Sequence, residues 1–297
     1  MPGAEPLIVR IGGGLGNQLF MYAAGYALAK RLGRPLLLDT SWYLKTRFRN
    51  LELPHLTGPL PIAFEGDIRR YALLPSDTTK AALLPVVRCL GALAGCLLGV
   101  KIVREQDGLD LRLRQVAPAT PIYLLGYFQD HRYFADRAAD LRALLHLRQT
   151  PSPKSAALLT EVGDGTEWTS VHVRRGDYVA MSDQNALSGD YYRRAVDRIH
   201  EHVGQVKWLV FSDDPTWARE HLALPGEKRV VDHNRDRPWE DLALMTACKS
   251  HIIANSTFSW WGAWLGQTSG GLTIAPSMWF PGQPTSAGLL PPSWLTL

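Results

Sequence analysis

The second half of the chain alternates short apolar runs with helical segments, and this alternation restricts the fold more than any other feature. The runs have the length of buried strands, and the segments between them are long enough to cross from one strand to the next. The predicted strands are Trp168–Val173, Trp208–Phe211, Val230–Val231, His251–Ala254 and Leu272–Ile274, and the predicted helices are Tyr191–His202, Thr216–Leu222, Trp239–Ala247 and Thr257–Leu265. The pattern predicts a parallel sheet with helices on its faces, as in a Rossmann-like fold.

The beginning of the chain carries a βαβ unit of the same kind. Leu7–Ile11 is a predicted strand, and Gly12–Gly16 is a glycine-rich loop. A helix is predicted next, because apolar residues recur at helical spacing between Phe20 and Leu28. A second strand is predicted at residues 35–38. This unit therefore predicts another parallel sheet.

The chain is predicted to contain two α/β domains. Ile122–Leu125 is a further strand candidate, and His131–Leu147 is a predicted helix. The segment Gln149–Ser155 contains two prolines and small polar residues, which are typical of a linker. We therefore predict an N-terminal domain of residues 1–150 and a C-terminal domain of residues 151–297 with a tail rich in Pro and Trp.

Residues 81–100 form an apolar stretch that resembles a membrane span. Arg88 lies within this stretch, and Pro85 interrupts its first turns. A charge at the centre of a bilayer costs about 3 kcal/mol, so a buried or surface-docking helix is favoured over a span. We expect, at most, peripheral contact with a membrane through residues 81–100.

Composition narrows the class of protein and its partners. The 297 residues, 46% of them apolar, can build a large core, and the net charge of +4 is spread along the chain without a basic block. Nucleic acid is therefore not an expected partner. The three cysteines show no CxxC spacing, and the N-terminus lacks the pattern of a signal peptide. These features indicate a cytoplasmic protein, peripheral to the inner membrane if residues 81–100 contact it.

Three polar turns follow predicted strands of the second half. They are Arg174–Asp177, Ser212–Pro215 and Asn255–Thr257, the last of which opens a helix. The carboxyl ends of parallel strands share one edge of a sheet, where such folds bind ligands. Paired arginines and a helix N-terminus suit phosphate, and a carboxylate can accept from a base, so the turns predict a nucleotide site. Each turn alone has a plainer explanation, a solvated Arg–Asp pair or a helix cap.

The sequence lacks the usual motifs of dinucleotide and metal-dependent sites. Asn17 occupies the position at which the dinucleotide fingerprint needs a small residue, and GxxxxGK is absent. Neither a D-x-D triplet nor an HExxH motif occurs, so we expect no metal. If a diphosphate binds, arginine side chains would neutralise its charge in place of a metal ion.

Four segments, in order, resemble the α-1,2-fucosyltransferases, which are family 11 glycosyltransferases. They are Gly13–Phe20 with Tyr22–Ala23, the H-x-R-R-x-D segment His172–Tyr178, Phe211–Asp214 and Asn255–Trp261. Gly126–Gln129 is also similar to a segment of this family.

The resemblance implies an α/β fold of GT-B type, in which two Rossmann-like lobes face a cleft. The first lobe would be the acceptor side and carry an irregular helical insertion within residues 41–118, and the second would bind the donor. The resemblance further implies GDP-β-L-fucose as donor, inversion at the anomeric carbon and no metal. Transfer to the 2-hydroxyl of a galactose-terminated glycan is the expected reaction.

The resemblance also implies roles for individual residues. Arg174 would bind the leaving β-phosphate, and His172 and Asp213 would read guanine. Asp177 is a catalytic candidate, as the base or as a residue that fixes the arginines; Asp130 is a second candidate base, and proton loss to phosphate would need neither. The other donor-binding candidates are Arg175, Asn255, Ser256, Thr257 and Ser259, and the acceptor-side candidates are Asn17, Gln18 and Asp130.

Other functions remain open from the sequence. A related fucosyltransferase of different linkage, such as α-1,6 transfer to a chitooligosaccharide or peptide O-fucosylation, would share H-x-R-R but not the pattern at Asn255–Trp261. A non-catalytic glycan- or nucleotide-binding protein could stack sugars on some of the ten tryptophans, although core packing explains most of them. For Asn17, the plainer role is a cap of the following helix.

Overall fold

The computed structural model describes residues 4–46, 49–63, 99–105, 116–176, 186–266 and 270–297. The chain divides into two compact units, one from Met1–Pro54 and Gly58–Leu141 and the other from His55–Thr57 and Arg142–Leu297. The segment His55–Thr57 belongs to the second unit because the His55 ring stacks on Trp239 at 3.6 Å between centroids. The predicted domain boundary after residue 150 thus lies beyond the structural division.

The described part of the first unit is built on a four-stranded parallel sheet. Its strands are β1 (Leu7–Arg10), β2 (Leu36–Asp39), β3 (Lys101–Arg104) and β4 (Ile122–Leu125), in the order β2-β1-β4-β3. The helices that begin in this part of the chain are α1 (Leu15–Leu32), α2 (Trp42–Lys45), α3 (Pro54–Thr57) and α4 (Ala138–Leu144). Gly25 lets α1 lie directly on β1, because a Cβ atom there would come within 2.2 Å of Val9 Cγ2.

The helix predicted at His131–Leu147 is shorter in the structure. Two turns of 3₁₀ helix, His131–Tyr133 and Ala135–Arg137, precede α4. Phe134 separates the two turns with a non-helical φ of −135°, and its fully buried ring lies 6.0 Å from that of Phe20. Burial of this ring in the core therefore interrupts the helical path.

The second unit contains a six-stranded parallel sheet. Its strands are β5 (Trp168–Val173), β6 (Lys207–Ser212), β7 (Lys228–Val231), β8 (Ser250–Ile252), β9 (Thr273–Ala275) and β12 (Leu295–Thr296). Between β9 and β12, the strands β10 (Met278–Phe280) and β11 (Gln283–Pro284) form a separate two-stranded hairpin. The helices are α5 (Pro153–Val162), α6 (Gly189–Val203), α7 (Pro215–His221), α8 (Pro238–Ala247) and α9 (Thr257–Leu265). The strand order β12-β9-β8-β5-β6-β7 is that of the doubly wound dinucleotide-binding fold.

Alternation of side chains along the strands gives the second sheet a core on each face. On β6, Trp208 and Val210 pack against α6 on one face, and Leu209 and Phe211 pack against α8 on the other. The buried positions of α6 recur at helical spacing, and Ser188 caps that helix by accepting from the Tyr191 N–H. The predicted α/β alternation is therefore confirmed in this unit.

The membrane-related prediction falls largely outside the structure. Residues 81–98, most of the apolar stretch 81–100, lie outside the described residues. None of the helices within the described part of the chain combines the length and the apolar content needed to cross a membrane.

Candidate active site

The order of strands in the second sheet reverses between β5 and β8, which are hydrogen-bonded neighbours. In open α/β sheets, ligands bind outside the carboxyl ends of the strands at such a reversal. Arg174 follows β5, Asp213 follows β6, and Ser256 precedes the helix after β8. These three residues, one from each predicted polar turn, thus lie at one edge of the sheet.

Arg174 is held by Asp213 across the ends of neighbouring strands. Arg174 Nη1 lies 3.2 Å from Asp213 Oδ2, and Asp213 Oδ1 accepts a hydrogen bond of 2.8 Å from the Arg175 N–H. Gly176 allows this approach, because a Cβ atom there would lie 3.1 Å from Asp213 Oδ2. One carboxylate therefore orients both the side chain of Arg174 and the main chain of the turn.

Arg175 is placed differently from Arg174. Its guanidinium carbon lies 4.1 Å above the centre of the Trp217 ring, in cation–π geometry. Its Nε atom lies 3.7 Å from Asp214 Oδ2, and Asp214 also caps α7 by accepting from the Trp217 N–H. Arg175 is therefore braced by α7. The contact between Trp217 and Arg175 could not be predicted from the position of Trp217 in the sequence or from its residue type.

His172, near the end of β5, is a buried neutral imidazole. Burial, reinforced by the nearby charge of Arg174, lowers the pKa of His172 to about 3. Within the described residues its Nδ1 atom is buried without a hydrogen-bond partner. Buried polar atoms normally have partners, so this nitrogen fits a hydrogen-bonding group of a ligand. Tyr192 of α6 holds the end of β5 in place, because its hydroxyl donates a hydrogen bond of 3.1 Å to the His172 carbonyl.

The N-terminus of α9 lies beside His172, whose ring centroid is 5.8 Å from that of Phe258. Ser256 is the N-cap of this helix and makes no side-chain cap hydrogen bond. The first turn of a helix presents N–H groups and the positive end of the dipole, which together favour an anion. Ser256 and Thr257 are therefore at a position suited to phosphate.

Two other donor-side candidates have structural contacts. Asn255 is buried, and its Nδ2 donates to the Trp279 carbonyl at 3.1 Å, which attaches the C-terminal hairpin to the sheet. Ser259 is also buried, and its hydroxyl donates to the Ser256 carbonyl at 3.3 Å. The structure thus gives both residues a role in shaping the edge of the site, and their direct contact with the donor stays a prediction.

In the first unit, Asn17 lies at the corresponding edge of the smaller sheet. Its Oδ1 accepts a hydrogen bond of 3.1 Å from Gln129 Nε2, which joins the first turn of α1 to the turn after β4. The N-cap of α1 is Gly14, so Asn17 does not occupy the cap position. The alternative role of Asn17 as a helix cap is therefore wrong.

Gln18 is an interior structural residue, which corrects its predicted acceptor-side role. Its side chain is fully buried. Its Nε2 donates to the carbonyls of Gly13 and Asn50 at 3.1 and 2.8 Å, and its Oε1 accepts from the N–H groups of Glu52 and Leu53, both at 2.9 Å. All four hydrogen-bonding positions of the amide are used, so none is left for an acceptor sugar.

The turn after β4 is fixed by Glu105, a residue that the sequence pattern did not single out. The two oxygens of Glu105 accept from the N–H groups of Tyr127 and Gln129 at 2.9 and 3.0 Å. The turn is strained, because Phe128 has a φ of 52°, which is unusual for a residue other than glycine. The ring of Phe128 is fully buried. The carboxylate thus holds Tyr127, whose side chain is exposed, in a defined position.

Asp130 is a capping residue in this structure. Its carboxylate accepts from the Arg132 N–H at 2.9 Å and pairs with the Arg132 guanidinium. A general base is expected to have a carboxylate oxygen available to the substrate hydroxyl, whereas the Asp130 carboxylate is hydrogen-bonded to the main chain and the side chain of Arg132.

Asp177, the other candidate base, lies outside the described residues. Within the described part of the chain, no group of three or more His, Cys, Asp or Glu side chains is placed to hold a metal ion.

Comparison with known proteins gives the family of this chain. The sequence profile of glycosyl transferase family 11 matches residues 102–294. An O-antigen biosynthesis glycosyltransferase of Escherichia coli, WbnK, is 30% identical over 97% of this chain and 99% of its own length. An alpha-1,2-colitosyltransferase of Escherichia coli is 29% identical over 92% of each chain. A galactoside 2-alpha-L-fucosyltransferase of Mus musculus, Sec1, is 24% identical over 92% of this chain and 67% of its own length.

Solved structures agree on the fold. The fucosyltransferase NodZ from Bradyrhizobium covers 95% of this chain and 98% of its own, with a TM-score of 0.57 and 16% identity. This likeness and the two parallel sheets confirm the predicted α/β fold of GT-B type. Since the family profile matches most of the chain and a relative is similar along nearly its whole length, the chain belongs to glycosyl transferase family 11 and is a glycosyltransferase.

Proposed function

We propose that this protein transfers L-fucose from GDP-β-L-fucose to the 2-hydroxyl of a terminal β-galactoside, with inversion and without a metal ion. The observation that carries the proposal is the position of Arg174, which lies at the reversal of strand order and is oriented by Asp213. A diphosphate gains negative charge as it leaves, and a fixed guanidinium stabilises that charge. The galactoside 2-alpha-L-fucosyltransferase named above, which is similar over 92% of this chain, supports the choice of reaction.

On the donor side, Arg174 contacts the β-phosphate, and the first turn of α9 at Ser256–Thr257 contributes N–H groups to the phosphates. The neutral His172 offers its unsatisfied nitrogen to guanine. Asp213 still has lone pairs beyond its bonds to the two arginines, so it can also accept from guanine.

On the acceptor side, Asn17 and the turn that it joins bind the galactoside. The hydrogen bond between Asn17 and Gln129 orients the Asn17 amide. Removal of the amide in Asn17→Ala is expected to reduce transfer to galactosides while GDP affinity, measured by calorimetry, stays largely intact.

A second candidate donor is GDP-colitose, because one relative similar over 92% of this chain is named an alpha-1,2-colitosyltransferase. Colitose lacks the 3-hydroxyl of fucose, so the two donors differ by one hydrogen-bonding group. A site that hydrogen-bonds a hydroxyl strongly rejects the analogue that lacks it. The ratio of kcat/KM for the two donors therefore decides between them.

The test is an assay of the purified protein with GDP-fucose and, in separate reactions, lactose, lacto-N-tetraose and its type 2 isomer. We expect fucose on galactose O2, identified by NMR. A bond to O3, O4 or O6, or to glucose, would show that the proposed linkage is wrong. Donor consumption without any transfer would show that the acceptor class is wrong.

Arg174 variants test the proposed chemistry. Arg174→Ala is expected to lower kcat by about 10² to 10³, and Arg174→Lys is expected to recover little, because an ammonium cannot replace the planar fork. Arg193→Ala, an exposed arginine on α6, is the matched control and should keep full activity. An Arg174→Ala protein that retains more than about a tenth of the activity would remove Arg174 from the mechanism.

A further inference from the structure

In the first sheet, with the order β2-β1-β4-β3, the first strand β1 and the last strand β4 are neighbours at the centre. Four parts of the chain lie at the carboxyl edge of this sheet: the glycine loop after β1, the turn after β4, α2, and residues 49–53. Tyr43 lies in α2, and Glu52 lies in residues 49–53. Tyr43 donates its hydroxyl hydrogen to the Gly13 carbonyl at 2.9 Å. The glycine loop thus lies beside a cluster of polar side chains that includes Tyr43 and Glu52.

Glu52 is fixed in this cluster through its main chain. The N–H groups of Glu52 and Leu53 both donate to Gln18 Oε1 at 2.9 Å, and Gln18 Nε2 donates to the Gly13 carbonyl. Gln18 is fully buried, so it ties Glu52 rigidly to the glycine loop. The tie places the main chain of Glu52 beside the loop.

The other carboxylates at this edge, among the described residues, hold protein groups. Asp39 accepts from the Tyr123 hydroxyl and the Ser41 N–H. Glu105 accepts from two N–H groups of the turn after β4, and Asp130 pairs with Arg132. The hydrogen bond made by Glu52, in contrast, uses its main-chain N–H. Glu52 is therefore the carboxylate best placed to serve a substrate.

The electrostatic surroundings of Glu52 suit proton transfer near neutral pH. Burial raises the pKa of Glu52 to about 7, and the positive charge of Arg49 opposes this shift. Arg49 lies against the glycine loop, with Nε 3.9 Å from the position of a Cβ atom on Gly14. Burial, reinforced by the charge of Glu52, raises the pKa of Tyr43, so this phenol stays protonated. Tyr127, which also contributes to the shift of Tyr43, presents a half-exposed ring on the neighbouring turn.

We infer that Glu52 is the general base that deprotonates the reacting hydroxyl of the acceptor, an inference that rests on the proposed transfer. The acceptor O–H bond breaks and its proton moves to the Glu52 carboxylate. The acceptor oxygen forms a bond to the anomeric carbon as the bond between that carbon and the β-phosphate oxygen breaks. GDP leaves with the electron pair, and Glu52 later releases the proton to water. Tyr127 offers an aromatic face to the acceptor sugar.

The test compares Glu52→Gln with Glu52→Asp. Glu52→Gln keeps the size of the side chain but cannot accept a proton, so kcat is expected to fall by about 10² to 10⁴. Glu52→Asp keeps the carboxylate and should retain more activity than Glu52→Gln. Calorimetry should give unchanged GDP affinity in both variants, and melting curves establish that both are folded. Glu5→Gln, an exposed glutamate of the same unit, is the matched control and should behave as wild type.

The pH profile separates a base from a structural residue. A base acts deprotonated, so wild-type kcat should rise with pH through about 7 and then level off. The residual activity of Glu52→Gln should lack this rise. Full activity or an unchanged rise in Glu52→Gln overturns the inference, as does a rise that disappears only in Asp177→Asn.

Failure of the proposed function gives a different result. If the wild type does not transfer fucose to a galactoside, the proposed donor or acceptor is wrong. The variants are then assayed with whichever pair the wild type does use, because a hydroxyl acceptor must lose its proton whichever sugar is transferred. A Glu52→Gln variant that is as active as wild type on that pair overturns the inference on Glu52 itself.

Discussion

Replacement of Asp213 by Asn distinguishes a residue that positions Arg174 from one that only reads guanine. Asp213 Oδ2 lies 3.2 Å from Arg174 Nη1, and Oδ1 accepts from the Arg175 N–H at 2.8 Å. The amide of the variant keeps one acceptor for the N–H group but loses the charge that faces Arg174. If Asp213 acts through Arg174, the loss appears in kcat.

The structure sets the size of this effect. A hydrogen bond to a charged group contributes about 1.5 to 3 kcal/mol. The side chains of Arg174 and Asp213 are 23% and 26% exposed, so solvent screening favours the lower end of that range. We therefore expect a loss of about 1.5 kcal/mol, which is about tenfold in kcat. The loss in Arg174→Ala is expected to be about 10² to 10³.

A double-variant cycle provides the decisive comparison. If Asp213 acts through Arg174, the double variant Arg174→Ala with Asp213→Asn should be no slower than Arg174→Ala alone. The coupling energy would then equal the full effect of Asp213→Asn. Additive losses in kcat, together with a GDP dissociation constant that rises in Asp213→Asn, would refute the positioning role and favour guanine recognition. Asp232→Asn, an ion-paired aspartate that follows β7, is the control and should affect neither quantity.

Three further predictions concern other parts of the molecule. His172 should remain neutral between pH 5 and 8, so its ring signals in NMR spectra should not titrate there; a midpoint within that range would contradict its burial. Activity should survive EDTA, and a loss that Mn²⁺ or Mg²⁺ restores would show that a metal is required. Gly25→Ala should lower the free energy of unfolding by about 1 to 3 kcal/mol, because its Cβ atom would overlap Val9. The control Gly189→Ala has open space at the start of α6 and should be neutral or slightly stabilising, so equal losses in denaturant melts would refute the packing argument.

The sequence predicted the second sheet well because its strands and helices alternate with clear periodicity. It missed β12, since a strand of the two residues Leu295–Thr296 has no detectable period. It also missed α5, because the prolines that suggested a linker include Pro153 at the first turn of that helix. The break at Phe134 depends on a ring contact with Phe20, more than a hundred residues earlier in the chain, which local pattern cannot reveal.

The candidate site was predicted only in part for a related reason. Strand ends can be read from the sequence, so the turns at Arg174, Asp213 and Ser256 could be assigned to one edge of the sheet. The contacts of Gln18 and Trp217 could not be predicted from the sequence, because they depend on which segments of the chain lie next to each other in the folded structure. A polar residue in the first turn of a largely apolar helix, as Gln18 is, signals either a site or a buried network, and only the structure separates these.

Both sheets stabilise their functional loops by the same arrangement. In the first unit, Glu105 follows β3 and binds the main chain of the turn after the neighbouring strand β4. In the second unit, Asp213 follows β6 and binds the main chain of the turn after the neighbouring strand β5. In each case the carboxylate follows one strand and accepts from main-chain N–H groups that follow the neighbouring strand. These bonds come from the protein itself and hold the main chain at Tyr127, Gln129 and Arg175, and groups that are preorganised in this way leave substrate binding energy available for the transition state.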